Sequence, residues 1–175
     1  MRSNSNRLRQ LQRDNGIVNV KGERADVRIA DALDEQTPYH VVIVTMHAYQ
    51  VDAVLPTLLR CSGKCILFMF NNFEPEQLGD AVGVERSAFG MPGVQATIGS
   101  DGKLKATIGS MGQKSMMSQQ RWVDLFNAAG LPAAFESEML LWLRCHVPLC
   151  VMFEAVSAAG RRIVGRVHGS RARNA

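Results

Sequence analysis

The chain has 175 residues, 46% of them apolar and 21% charged, which excludes a disordered polypeptide and suffices for one domain with a sizeable core. The net charge of +4 comes from the C-terminus: residues 161–175 hold Arg161, Arg162, Arg166, Arg171 and Arg173 and no acid, and +4 with those five arginines removed is −1. A near-neutral body argues against specific nucleic-acid binding, and the arginine tail reads as a solvated, disordered segment.

In chain order, Asn6 to Asp14 reads as a short polar helix with Leu8 and Leu11 on one side, stopped by Asn15-Gly16. Ile17–Val20 and Ala25–Ile29 flank Lys21-Gly22-Glu23 as a small hairpin. Val41-Val-Ile-Val-Thr-Met46 is a continuous apolar, β-branched run, the pattern of a parallel strand buried on both faces. Gln50 to Leu59 follows with Val51, Val54, Leu55 and Leu58 at helix spacing and Pro56 inside it. Cys65 to Phe70 is a second buried strand, and a helix follows near Glu74 to Val82. Strand, helix, strand, helix at this spacing predicts βαβ units with a right-handed crossover.

The pattern then changes. Ala96-Thr-Ile-Gly-Ser-Asp-Gly102 is nearly repeated as Ala106-Thr-Ile-Gly-Ser-Met-Gly112, with Asp101-Gly102 as a turn. This predicts an antiparallel pair, Val94–Gly99 against Lys103–Gly109. Ser118 is placed to cap a helix through Ala129, ended by Gly130-Leu131-Pro132, and Ala133 to Phe135 reads as a short last strand. Ser137 is placed to cap a long apolar helix to about Ala159, closed by Gly160. That helix is apolar nearly all round, which calls for burial in a large interface.

Cys61-x3-Cys65 and Cys145-x4-Cys150 lack tight zinc-knuckle spacing, so the four cysteines read as thiols in a reducing compartment and no metal site is expected. Met139 to Val156 is apolar enough to be mistaken for a membrane span, but it carries Arg144, His146, Pro148 and Glu154. An ionised side chain at the bilayer centre costs about 2.5–3.5 kcal/mol. A buried helix in a cytoplasmic protein is therefore expected.

The run Val41-Val-Ile-Val-Thr-Met-His-Ala-Tyr-Gln50, followed by Val51-Asp-Ala-Val-Leu-Pro56, resembles the ketopantoate reductase (2-dehydropantoate 2-reductase) family. That family has a buried strand ending in Thr, a Lys-Ala-aromatic-Gln turn into a helix, and an Asn-Gly turn one strand later. Phe70-Asn-Asn-Phe-Glu74 stands at the second place, and the likeness runs on to Trp142, over roughly residues 6–158. It implies an NADPH-dependent reductase of a small 2-keto acid, with the cofactor across a Rossmann sheet and the substrate between that sheet and a helical second domain. In open α/β sheets ligands bind beyond the carboxyl ends of the strands, where His47 to Gln50 and Asn71 fall. Gln50 and Asn71 are the candidate cofactor-binding residues, with Arg2 at the 2′-phosphate. For Asn71 and Asn72 a plain turn role stands beside this one.

The chain also departs from the family. No G-x-G-x-x-G precedes Val41, so the first strand and the Gly-rich phosphate loop are missing. That strand is central in the family's sheet, and its loss implies a gap or re-paired strands and poor NADPH binding. After Trp142 the family carries a lysine and then two asparagines; here Arg144, Pro148 and Met152 occupy one helix face. Arginine stays protonated, so it can polarise a carbonyl or pair with a carboxylate but is a poor general acid. His47 replaces the family's turn lysine, and histidine can act as an acid. His146 is a further candidate acid.

The expected fold class is therefore α/β: an incomplete Rossmann-type sheet over residues 1–136, the first long helix of a helical domain over 137–160, and a basic tail over 161–175. The expected catalytic residues are Arg144 and His47. The implied reaction is reduction of a 2-keto acid by NADPH, of the ketopantoate-to-pantoate type that serves pantothenate biosynthesis, impaired in a truncated or divergent chain. The alternative is a non-catalytic domain that associates with itself or with a partner.

Overall fold

The computed structural model describes residues 4–18, 24–98, 104–108, 114–146, 148–153 and 155–156. Arg2, the tail 161–175, the end of the long helix at Ala159-Gly160 and both expected hairpin tips lie outside the described residues.

Helix α1 (Asn4–Asp14) ends at Asn15, whose φ of 47° breaks the helical run, and Gly16 N–H donates to the Leu11 carbonyl (3.2 Å). Gly16 is required there: its φ is 147°, and a Cβ would meet the Ala25 carbonyl oxygen at 2.5 Å. Strands β1 (Ile17–Val18) and β2 (Arg24–Ala25) then pair antiparallel, and Asp26 to Ile29, expected in the second strand, is not strand.

The main sheet has five strands in the order β3 (Val42–Val44), β4 (Ile66–Met69), β5 (Ser87–Met91), β8 (Ser115–Met117) and β9 (Ala133–Phe135). Strands β3, β4 and β5 run parallel, β5 and β8 antiparallel, and β8 and β9 parallel. Between β3 and β4 lie a 3₁₀ turn (Ala48–Gln50) and helix α2 (Val51–Arg60), with Pro56 inside the helix as the sequence predicts. Helix α3 (Pro75–Val82) joins β4 to β5. Strands β6 (Val94–Ile98) and β7 (Leu104–Ile108) form the expected antiparallel pair as a separate two-stranded sheet, Ala96 opposite Ala106.

Alternation along β4 builds two cores. Ile66, Phe68 and Phe70 join Val44, Val51, Leu58, Leu78, Val82 and Phe89 on one face, and Cys65, Leu67 and Met69 join Ala88, Met117, Trp122, Val123 and Ala133 on the other. Helix α4 (Gln120–Ala128) supplies Trp122 and Val123 to the second face. A final helix, α5, is helical at 139–146, 148–153 and 155–156, and seats Met139 and Leu143 in the first core. The result is a sheet between helical layers. Among the described residues β3 is an edge strand, so the gap implied by a missing neighbour is an open edge.

Two expected caps are otherwise. Ser118 does not cap α4; its Oγ accepts the Phe89 N–H (2.9 Å), so it ties β5 to the chain leaving β8, and Gln119 is the N-cap. Ser137 lies in a turn, and the Glu136 carboxylate accepts the Glu138 N–H (2.9 Å) at the start of α5.

Candidate functional site

Parallel pairing of β3 with β4, Val44 opposite Phe68, carries both strands out of the same edge of the sheet side by side. His47 leaves that edge after β3, and Asn71 and Asn72 leave it after β4. The fold thus brings together the two turns that the sequence singles out, at the edge where open α/β sheets bind ligands.

His47 is exposed, and its ring stacks on that of Tyr49 (centroids 5.5 Å apart, 8° between planes). Its backbone N–H donates to Gln50 Oε1 (3.1 Å), while the Gln50 N–H donates to the His47 carbonyl (2.9 Å). The Gln50 amide oxygen therefore serves the turn, and the side-chain NH₂ is the group left for a ligand.

Asn71 is exposed, whereas its neighbour Asn72 is buried. Asn72 Oδ1 accepts the Glu74 N–H (3.0 Å) at the start of α3. Its Nδ2 is buried and meets no acceptor among the described residues. An unpaired buried donor costs about 1–3 kcal/mol, and among the described residues this is the buried side-chain polar atom left in that state. In sequence Asn72 carries only the signal of a turn residue; no pattern separates an outward asparagine from an inward one beside it.

Arg144 pairs with Glu76 in the first turn of α3, four residues beyond Asn72. The pair fixes α5 against the same end of the sheet, and both partners are partly exposed. The guanidinium therefore faces a carboxylate of its own chain, the group type that a 2-keto acid would present. His146, the further candidate acid, is engaged by its own helix. Its ring stacks on Trp142 (4.3 Å, 14°), its Nε2 lies 3.1 Å from Cys150 Sγ, and burial lowers its pKa, which favours the neutral imidazole.

The described residues contain no cluster of three or more metal-ligating side chains and no helix long and apolar enough to cross a membrane. Cys61 and Cys65 are buried free thiols, and burial pushes the Cys65 thiol up against the opposing pull of Arg121.

No family model and no curated protein matches the chain. Solved structures do. The chain is similar to a protein of Enterococcus faecalis described as a 2-dehydropantoate 2-reductase, with 18% identity, a TM-score of 0.55, and coverage of 77% of this chain and 48% of that one. It is also similar to a protein of Ralstonia solanacearum MolK2 described as a ketopantoate reductase (15%, 0.55, 74% and 50%). A third is a D-mandelate dehydrogenase solved with NADH (15%, 0.53, 75% and 44%). The chain spans about half the length of these structures. At such identities the likeness establishes the fold: a mixed α/β, mostly parallel sheet of the Rossmann-like kind.

Proposed function

We propose that this chain supplies the nicotinamide and substrate end of an NADPH-dependent reductase acting on a small 2-keto acid, of the ketopantoate type. The observation that carries the reading is the buried, unpaired Asn72 Nδ2 at the carboxyl edge shared by two adjacent parallel strands. The residues present fit that end of the cofactor through donors: the Asn72 and Gln50 amides. They do not include a glycine-rich cradle for the pyrophosphate; the 2′-phosphate falls to Arg2 in this reading.

When bound beside the Gln50 and Asn72 amides, NADPH would supply the hydride for the carbonyl carbon. Arg144, always protonated, holds the substrate carboxylate in a fork and draws charge toward the carbonyl, exchanging Glu76 for the substrate. His47, exposed at the turn, gives a proton to the carbonyl oxygen, so that the keto acid leaves as a 2-hydroxy acid. A cytoplasmic site of action belongs to the same proposal. A second reading, a domain that works by association, is favoured by the apolar residues that α5 leaves exposed.

The test is titration of NADPH fluorescence with the full chain. Saturable binding is expected, weakened about tenfold by Asn72→Asp, which keeps the oxygen that caps α3 and removes the donor. NADPH oxidation with ketopantoate is expected to fall with Arg144→Ala at unchanged NADPH affinity. Absence of saturable binding below about 1 mM overturns the reading.

A further inference from the structure

The C-terminal half of α5 carries apolar surface that nothing in the described fold covers. Beyond Leu143 no described residue of this helix is buried. Leu141, Leu149, Val151, Met152, Phe153 and Val156 are between 47% and 72% exposed. At about 100° per residue, Leu141 and Cys145 share a face within 139–146 that is turned away from the Met139 and Leu143 side entering the core, and Leu149, Met152 and Phe153 share one face within 148–153. Arg144 is paired with Glu76, so no described charge interrupts this apolar stripe.

Five large apolar side chains exposing roughly 100 Å² each give about 500 Å² per copy and about 1,000 Å² across a symmetric pair, the threshold for a specific interface. A patch without charge of either sign meets a copy of itself without repulsion, as an interface about a twofold axis requires.

We propose that this stripe is the interface of a homodimer in which two α5 helices pack against each other. The proposal is independent of the reductase reading. Sedimentation velocity on the full chain from about 1 to about 100 µM is expected to show a monomer passing into a dimer. Met152→Lys/Phe153→Lys is expected to raise the dissociation constant at least about 100-fold, with the helical circular dichroism retained because both side chains are exposed in the single chain. As a second readout, Cys145 is exposed and lies on the stripe. Its alkylation is expected to slow severalfold as the chain dimerises, and the double variant is expected to abolish that slowing. A monomer at every concentration overturns the proposal. So does a dimer that survives the double substitution, growth into polydisperse species, or a monomer that instead sediments with anionic lipid vesicles.

Discussion

His146 lies half-buried between the Trp142 ring and the Cys150 thiol, and burial lowers its pKa. The unfolded histidine titrates near the ordinary value of about 6.5. As the pH falls below that value the unfolded chain takes up the proton before the folded chain does. Stability is therefore lost through the interval below about pH 6.5, and the loss levels off once the folded histidine is itself protonated. His146→Phe, which keeps a ring against Trp142, is expected to flatten this slope; urea midpoints at about pH 7.5 and about pH 5.5 measure it. An unchanged slope would assign it to another group. Gly93 gives a second residue-scale prediction. A Cβ there would meet the Lys114 carbonyl carbon at 2.6 Å, and the Gly93 N–H donates to Ser115 Oγ (3.1 Å). Gly93→Ala forces backbone apart at the entry to β8 and is expected to cost about 1–3 kcal/mol in urea denaturation.

Helix α5 is held by two kinds of contact of unequal strength. Met139 and Leu143 are 1% exposed in the core, whereas the Arg144–Glu76 pair is partly exposed to solvent. Truncating either buried side chain to alanine is expected to cost about 2–5 kcal/mol, through lost transfer and the cavity left behind. Glu76→Gln is expected to cost under about 1 kcal/mol, because water and salt screen an exposed pair. Equal losses would mean that the ion pair, and not the core, seats the helix. The same contrast explains which elements could be read in advance. Ile66–Met69 announces itself because a strand buried on both faces is apolar without interruption; Val42–Val44 carries the same run, but the expected burial on both faces fails there, since β3 is an edge strand among the described residues and Ile43 is exposed. Strand β5, Ser-Ala-Phe-Gly-Met, carries no such run: Ser87 satisfies its hydroxyl on the Val84 carbonyl (3.0 Å), and Gly90 makes room for the backbone of Met116. Strand β8 is three residues long and exists through pairing with β5 and β9. Ser118 and Ser137 have the chemistry of caps, but tertiary partners decide whether a serine caps: Ser118 meets the Phe89 amide instead.

At the scale of the whole molecule, the site was legible as far as chain order carries it. Two strand ends, at His47 and Asn71, follow from the βαβ pattern, and adjacent parallel pairing brings them to one edge. The inward turn of Asn72 and the meeting of Arg144 with Glu76 depend on where α3 and α5 pack, which no local pattern encodes. The open edge of β3 follows from the assembled sheet and is directly testable. In a parallel ladder successive residues point their amides to alternate sides. Val42 N–H donates to the Cys65 carbonyl (2.8 Å), so the Ile43 amide faces away from β4 toward the uncovered side. Hydrogen exchange is therefore expected to rank the amides steeply within a few residues. Those of β4, whose Ile66, Leu67 and Phe68 are at most 1% exposed, open only with global unfolding, while that of Ile43 exchanges orders of magnitude faster than its neighbours at 42 and 44. Protection of Ile43 equal to theirs would mean that another strand lies along β3, and the edge that frames the site would then be closed.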